Sequence, residues 1–267
     1  MQIIVLGMHR SGTSLVTRMV SMMGAYVGEA ASMLGFTKDN PKGYWERKDV
    51  IDYNIALLKL HGTDWAGYNP LNWPMPYRPT DVPPALQQSM KSLILHMNAH
   101  QPWVMKDPRL CLTFPCWKPL LEAPVCVIVY RDPLEIAESL YTRSKMPLEY
   151  AVALWEFYAV AALNVSAELP RVFVSHSDFL YDPVSTTAQL YHGLAAAGVK
   201  GLKLPSNAEI TDFIDPALYR SKPKESALTG YRQDLAAMMR GDYAPKGVLT
   251  VSEASRNVMR IGLPIPT

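Results

Sequence analysis

Cysteine is scarce in this sequence, and neither sign of charge dominates it. The 267 residues include three cysteines, Cys111, Cys116 and Cys126, and 26 basic residues stand against 24 acidic ones. An odd number of cysteines without a partner at zinc-finger spacing excludes a disulfide framework and favours small buried side chains in a reducing compartment. The net charge of +2 excludes a protein that coats nucleic acid or an anionic membrane, so any anion must be bound locally.

Long hydrophobic runs are also absent. The longest apolar stretch, Tyr150 to Leu163, contains Glu156 and is shorter than the roughly 20 residues that span a bilayer. Residues 2–6 lead directly into a glycine-containing turn, without the basic region and cleavage site of a signal peptide. The sequence therefore predicts a cytoplasmic protein with no integral membrane segment.

Short apolar runs recur along the chain, each followed by polar or proline-containing residues and then by a helical pattern. They lie at Ile3 to Leu6, Trp103 to Met105, Val125 to Tyr130 and Val172 to Val174. Such runs are typical of strands that are buried on both faces of a parallel sheet, and their alternation with helices favours an α/β fold. We therefore predict one α/β domain over residues 1–267, with a central parallel sheet flanked by helices.

Two segments depart from this pattern. Residues 62–84 contain six of the 22 prolines as well as Trp65 and Trp73, which predicts a structured loop insertion. Such a loop is either a surface connection packed on its own aromatic rings or a wall over an acceptor pocket. Residues 205–267 form a polar C-terminal segment of undetermined structure, whereas Leu148 to Leu169 and Asp182 to Ala197 are predicted to be long helices.

The first strand runs into a turn with the spacing of a phosphate-binding loop. Gly7, Gly12 and Ser14 follow the pattern G-x4-G-x-S, and a helical pattern comes directly after them. The backbone N–H groups and the positive dipole end of such a helix favour a bound anion. Thr13 stands where a nucleoside triphosphatase has its phosphate-binding lysine, while Arg10 offers a fork-shaped cation instead. The loop is therefore predicted to hold an anion other than the γ-phosphate of ATP.

This loop resembles that of the sulfotransferases that use 3′-phosphoadenosine 5′-phosphosulfate (PAPS), whose turn reads Pro-Arg/Lys-Ser-Gly-Thr-Thr/Ser. His9 replaces the proline, and the residues after it match. The resemblance implies a P-loop-like α/β fold and transfer of the sulfuryl group of PAPS to a hydroxyl, which leaves adenosine 3′,5′-bisphosphate. It also implies that the donor is bound by six loop residues, namely His9, Arg10, Ser11, Gly12, Thr13 and Ser14.

Further family signatures follow in the expected order. Arg131 ends a predicted strand and Ser139 lies eight residues on, as in the pair that binds the 3′-phosphate in that family. Arg143 matches a second arginine of the tyrosylprotein sulfotransferase branch, and on a helix it lies on the same face as Ser139. Lys106, in Lys-Asp-Pro, resembles the lysine that touches the transferring sulfuryl group in that branch. A lysine at a strand end also points into the crevice where ligands bind in open α/β sheets.

The remaining matches concern a bacterial branch linked to glycan assembly. Asn40 to Glu46 is similar to a segment of that branch, Phe213 to Ser221 less specifically so, and His176 to Pro183 resembles the family's Tyr-Glu-Asp-Leu-x-x-Asp-Pro. The Arg-Lys-Gly loop that closes over the 3′-phosphate in cytosolic members is missing, and Arg220, Lys222 or Lys224 is the candidate replacement. The branch implies a small-molecule or glycan acceptor, and we expect a carbohydrate or glycoconjugate.

Four residues are candidates for the base that accepts the proton of the acceptor hydroxyl. Glu46 is preferred because it follows two aromatic residues, Tyr44 and Trp45. Burial beside their rings would raise the pKa of its carboxyl group toward working pH. Glu29 lies after the first helix at about the distance at which tyrosylprotein sulfotransferases have their catalytic glutamate. His61 is expected to end a helix, and His9 is expected to shape the loop. Arg10 and Lys106 complete the predicted catalytic set by stabilising charge on the sulfuryl oxygens.

Two other classes compete with this interpretation. A P-loop kinase or another ATP-dependent nucleotide-binding protein explains residues 7–14, but it does not explain Thr13 or the interval from Arg131 to Ser139. A nucleotide-binding module without catalysis has no use for a converging Lys106 and Glu46. The chemistry of sulfuryl transfer requires no Mg²⁺, and no acidic metal cluster stands out in the sequence.

Overall fold

Four short strands form one parallel sheet in the computed structural model, which describes residues 1–37, 42–66, 82–214 and 228–261. The strands are β1 (Gln2–Leu6), β2 (Trp103–Lys106), β3 (Pro124–Tyr130) and β4 (Arg171–Ser175). Their order in the sheet is β2-β1-β3-β4. Each predicted strand lies within one of these, so the α/β fold with a central parallel sheet is confirmed.

Eleven α-helices surround this sheet in the described part of the chain. They are α1 (Thr13–Met22), α2 (Lys48–Leu60), α3 (Pro84–Asn98), α4 (Leu110–Trp117), α5 (Pro133–Ser144), α6 (Leu148–Val165), α7 (His176–Tyr181), α8 (Pro183–Ala196), α9 (Asn207–Phe213), α10 (Tyr231–Arg240) and α11 (Glu253–Ile261). The two long helices predicted from the pattern correspond to α6 and α8. Helix α6 ends at Val165, because the chain turns there to enter β4.

The two faces of the sheet are covered by different helices. Side chains alternate across each strand, so Ile3 and Val5 of β1 face one layer and Ile4 and Leu6 face the other. The first layer contains α1 and α8, and the second contains α4, α5, α6 and α10. All residues of β1, β2 and β3 are buried, which explains why their sequences are almost wholly apolar.

Helix α6 is the longest described helix and lies largely in the core. By length and composition alone it could cross a membrane, and 72% of it is buried inside the protein. Its single buried carboxylate, Glu156, accepts hydrogen bonds from the backbone N–H of Ser252, the hydroxyl of Ser255 and Nε of Arg232, the last at 3.0 Å. These bonds attach α10 and α11 to α6, so the polar C-terminal segment contains helices that pack on the core.

The predicted loop insertion over residues 62–84 is described only in part. Residues 67–81 of the 62–84 segment lie outside the described residues, and α3 begins at Pro84.

All three cysteines are buried and carry free thiols. Burial raises the pKa of Cys111 and of Cys126 to about 12, which makes these two thiols poor nucleophiles at neutral pH.

Candidate active site

The turn between β1 and α1 is tight and strained. Gly12 precedes α1 with φ 91°, and Arg10 has φ 69° although it is not glycine. Because Cδ2 of His176 would lie 2.4 Å from a Cβ on Gly12, the backbone approaches that ring too closely for a side chain. Ser11 Oγ donates to the carbonyl of Met8 at 2.6 Å and closes the turn. No side chain of the described residues caps α1, so its first N–H groups face the loop.

Helix α5 and the end of β3 bring two more predicted residues to this turn. Arg10 Nε donates to Ser139 Oγ at 2.8 Å, and Arg131 donates from its terminal nitrogen to the carbonyl oxygen of Arg10 at 2.9 Å. Arg131 Nε also donates to Glu135 at 2.9 Å, which fixes the guanidinium. The structure therefore joins Arg10, Arg131 and Ser139 in one group, and a phosphate placed there would meet two guanidinium groups and a hydroxyl.

Lys106 approaches the turn from the other side, because it ends β2, the neighbour of β1. Its Nζ donates to Ser14 Oγ and to the carbonyl of Tyr44, both at 3.1 Å, and to a carboxylate oxygen of Glu46. Both partners of this ion pair are buried. Burial raises the pKa of Glu46, while the positive charge of Lys106 opposes the rise. A carboxyl group with a raised pKa can accept a proton near neutral pH.

A hydrogen-bond network behind Lys106 fixes the end of β2. The carboxylate of Asp107 is buried, and it accepts from Asn54 Nδ2 at 2.9 Å and from a terminal nitrogen of Arg109 at 3.0 Å. The side-chain carbonyl of Asn54 accepts in turn from Trp117 Nε1 at 2.8 Å. The aspartate of the Lys-Asp-Pro motif therefore positions the lysine next to it.

His9 occupies an aromatic corner of the loop. Its ring centroid lies 4.6 Å from that of Trp65 and 5.9 Å from that of Tyr158, and its buried Nε2 has no hydrogen-bond partner among the described residues. Burial, and after it the charge of Arg109, lowers its pKa well below the usual value. Arg143 contributes to the same positive potential, which places it near His9. The imidazole is therefore neutral, and it is too weak a base to hold a proton at neutral pH.

Glu29 lies in a different cluster from Glu46. Its carboxylate accepts from Tyr26 Oη at 2.5 Å, is 3.1 Å from His96 Nε2 and is 3.9 Å from a terminal nitrogen of Arg47. The side chain is 55% exposed, and the hydrogen bond from Tyr26 is the main reason why its pKa falls to about 2. No described contact connects it to Lys106, so the structure does not bring these two predicted catalytic residues together.

The other predicted residues have separate positions. His61 follows the last residue of α2, where its N–H donates to the carbonyl of Leu58 at 3.1 Å. Arg220, like Lys222 and Lys224, lies outside the described residues. Among the residues that the structure describes, no group of three His, Cys, Asp or Glu side chains could hold a metal ion.

Two site residues were not recognisable from the sequence. His176 interrupts a family motif, yet its buried ring packs directly on Gly12, and burial followed by the charge of Arg131 lowers its pKa to about 3. Tyr44 contributes its backbone carbonyl, a group that every residue has. The positive φ of Trp45, 56°, is the local feature that aims Tyr44 and Glu46 toward Lys106, and the sequence carries no direct signal of it.

Comparisons with known proteins give two structural similarities. One is to a sulfotransferase domain from the curacin biosynthetic pathway, with 13% identity, a TM-score of 0.47, and coverage of 99% of this chain and 98% of that chain. The other is to a sulfotransferase domain from the Synechococcus PCC 7002 olefin synthase, with 17% identity, a TM-score of 0.45, and coverage of 99% and 95%. No protein-family model and no curated protein matches the sequence.

Proposed function

We propose that this chain is an O-sulfotransferase that moves the sulfuryl group of PAPS to a hydroxyl of a carbohydrate or glycoconjugate acceptor. The observation that carries the proposal is the convergence of three cations on one glycine-containing turn. Lys106, Arg10 and Arg131 reach the turn from the ends of three adjacent parallel strands, β2, β1 and β3. Ligands of open α/β sheets bind at these carboxyl ends.

The arrangement separates two anionic parts of the donor. Arg131, Ser139 and Arg10 form the group on the β3 side, which suits the 3′-phosphate, while the first N–H groups of α1 suit the 5′-phosphate. Lys106 lies on the β2 side, next to Ser14, where it would contact the sulfuryl oxygens. A donor with phosphates at both its 3′ and 5′ positions uses all of these groups.

The same residues account for the chemistry of transfer. The acceptor oxygen forms a bond to sulfur, the bond from sulfur to the 5′-phosphate oxygen breaks, and the bond electrons leave with adenosine 3′,5′-bisphosphate. The proton of the acceptor hydroxyl moves to Glu46, whose raised pKa suits that task. Lys106 and Arg10 stabilise the charge that develops on the sulfuryl and leaving oxygens. Lys106 also keeps the carboxylate of Glu46 at the transfer centre.

The acceptor class and the location belong to the same proposal. Trp65 packs beside His9 and is partly exposed, and an aromatic ring suits the apolar face of a sugar. Three buried free thiols favour a reducing compartment such as the cytoplasm.

Calorimetric titration of nucleotides tests the donor. We expect adenosine 3′,5′-bisphosphate to bind at least about tenfold more tightly than ADP, because only the former offers a 3′-phosphate to Arg131. Arg131→Ala should weaken adenosine 3′,5′-bisphosphate by at least about tenfold and leave adenosine 5′-monophosphate nearly unchanged.

Arg240→Ala is the matched control, since Arg240 also lies near the end of β3 but pairs with Asp242 and stacks on Tyr130. It should leave both affinities unchanged. Tighter binding of ADP by the wild-type protein would contradict the proposal and favour an ATP-dependent enzyme.

A further inference from the structure

A second group of cations lies one helical turn beyond the transfer centre. Arg18 follows Ser14 by four residues on α1, so the two side chains share a face about 6 Å apart along the axis. The guanidinium carbon of Arg18 lies 4.6 Å from the ring centroid of Trp45 and 5.6 Å from that of Phe213. Lys42 Nζ lies 5.0 Å from the Phe213 ring and donates to the Phe213 carbonyl. We call these four residues the Arg18 cluster.

The charge of this cluster is not compensated by the described residues. Arg18 Nε is buried and has no hydrogen-bond partner there, and none of the described ion pairs includes Arg18 or Lys42. Burial lowers the pKa of Arg18, and no neighbouring carboxylate raises it. The side chain as a whole is only partly buried, so the terminal N–H groups of Arg18 remain open to an anion from outside the fold, whose charge would compensate that of the cluster.

The position of Trp45 connects the cluster to the transfer centre. Trp45 stacks on Arg18, while the residues on either side of it, Tyr44 and Glu46, both accept hydrogen bonds from Lys106. In the proposed function, Arg131 and Ser139 would hold the 3′-phosphate of the donor, and they join Arg10 on the β3 side of the turn. A group that contacts Arg18 would therefore belong to the molecule whose hydroxyl reaches Glu46.

We propose that the Arg18 cluster binds a carboxylate of the acceptor, and that the acceptor is an acidic sugar such as a uronic acid. This inference rests on the proposed function, because it names the acceptor of the same site. The planar guanidinium offers the N–H groups of its two terminal nitrogens, a fork that fits the two oxygens of a carboxylate. The Phe213 ring presents an apolar surface to the adjoining sugar carbons.

Binding of two simple sugars to the protein saturated with adenosine 3′,5′-bisphosphate tests this inference. The probes are methyl β-D-glucuronide and methyl β-D-glucoside, which differ only in the carboxylate, and affinity is measured by calorimetry. We expect the glucuronide to bind at least about tenfold more tightly, the usual effect of a charge-assisted hydrogen bond. Arg18→Met keeps the unbranched stem and the helix propensity, and it should abolish this preference.

Arg171→Met is the matched control. Arg171 also has a buried nitrogen without a partner and stacks at 5.4 Å on Phe173, but it begins β4, at the amino ends of the strands, away from the turn. This variant should keep the full preference for the glucuronide. If Arg18→Met does not fold, as judged by thermal unfolding, Lys42→Met replaces it and should reduce the preference severalfold.

The outcomes separate this inference from the proposed function. Equal affinities of the wild-type protein for the two sugars, or no saturable binding of either, would overturn the Arg18 proposal while binding of adenosine 3′,5′-bisphosphate still supports sulfuryl transfer. A loss of adenosine 3′,5′-bisphosphate affinity in Arg18→Met would assign the cluster to the donor and would also overturn it. If the wild-type protein does not bind this nucleotide, the proposed function fails, and selective binding of glucuronide to the nucleotide-free protein then tests the cluster alone.

Discussion

Two effects act in opposite directions on the pKa of Glu46, which forms a buried ion pair with Lys106. Removal from water favours its neutral form, and the ammonium group in contact with it favours the carboxylate. Burial is the larger effect, so the carboxyl stays closer to its proton-bound form than an exposed glutamate does. In the proposed reaction, that balance would let Glu46 accept a proton in the transition state and pass it on afterwards.

Glu46→Gln tests this balance directly. The amide keeps the shape and hydrogen-bonding capacity of the side chain but cannot accept a proton, so we expect kcat to fall about a hundredfold or more with nearly unchanged affinity for adenosine 3′,5′-bisphosphate. In the wild-type protein we expect activity to rise with pH as Glu46 loses its proton, with a midpoint above 4.5 because its pKa is raised. The variant should lack this acidic limb, which a pH profile of kcat/KM measures.

Glu29→Gln is the matched control for the same substitution. The carboxylate of Glu29 belongs to the exposed cluster with Tyr26 and His96, so its loss should change kcat less than threefold. The opposite pattern, with Glu29→Gln inactive and Glu46→Gln active, would exchange the two assignments.

At the scale of an element, the turn from β1 to α1 depends on the absence of a side chain at one position. Gly12 has a left-handed backbone conformation, and the ring of His176 occupies the space that a Cβ would need. The ring thus supports the turn from the side of β4 and α7. This contact gives the buried His176 a packing role at the turn.

Gly12→Ala should destabilise the protein more than an alanine in the same backbone conformation elsewhere. The positive φ alone costs about 1 kcal/mol or slightly more, and the contact with His176 adds to it. Gly247→Ala is the control, because Gly247 has φ 94° and a Cβ there would meet no atom within 4 Å. Urea unfolding of both variants measures the difference, and equal losses of stability would show that the His176 contact is not required.

The sequence predicts the elements that depend on local pattern. The strands are recognisable because burial on both faces demands an unbroken apolar run, and the turn from β1 to α1 follows from glycine spacing. Lys106 and Arg131 are predictable as site residues because each lies directly at a strand end. Helix α4 is different, since Pro115 in its interior argues against a helix although the segment is helical and almost wholly buried.

Long-range pairings are not predictable in this way. Glu29 and Glu46 are both candidate bases in the sequence, where the aromatic neighbours favour Glu46, and only the tertiary structure shows that Glu46 contacts Lys106. The left-handed Trp45 turns its neighbours toward that lysine, and no propensity of tryptophan indicates such a backbone. The unpartnered nitrogen of Arg18 likewise depends on what packs around it, because most arginines find a carboxylate or water.

At the scale of the whole molecule, the order of the strands determines what the site can bind. β1 lies between β2 and β3, so its turn receives Lys106 from one side and Arg131 from the other. In the proposed function, the two ends of an elongated donor would therefore be held by different strands, with transfer on the β2 side. In the helical layer that contains α6, the side chain of Glu156 fixes helices α10 and α11 to α6. These hydrogen bonds connect the C-terminal part of the chain to the core.

Glu156→Gln should loosen this connection and reveal its pH dependence. The hydrogen bonds from Ser252 and Ser255 are the main groups that lower the pKa of Glu156 against the effect of burial, so the folded state binds the proton less readily than the unfolded chain. The carboxylate therefore contributes stability at neutral pH, and this contribution is lost as the pH falls below 4.5 toward the folded pKa. We expect the substitution to cost about 2 to 3 kcal/mol at pH 7 and progressively less in acid, as measured by urea unfolding across pH.

Glu168→Gln, at an exposed ion pair with Lys118, is the control and should cost less than about 1 kcal/mol. A loss for Glu156→Gln that stays constant from pH 7 to pH 4 would show that shape rather than charge holds the C-terminal helices in place.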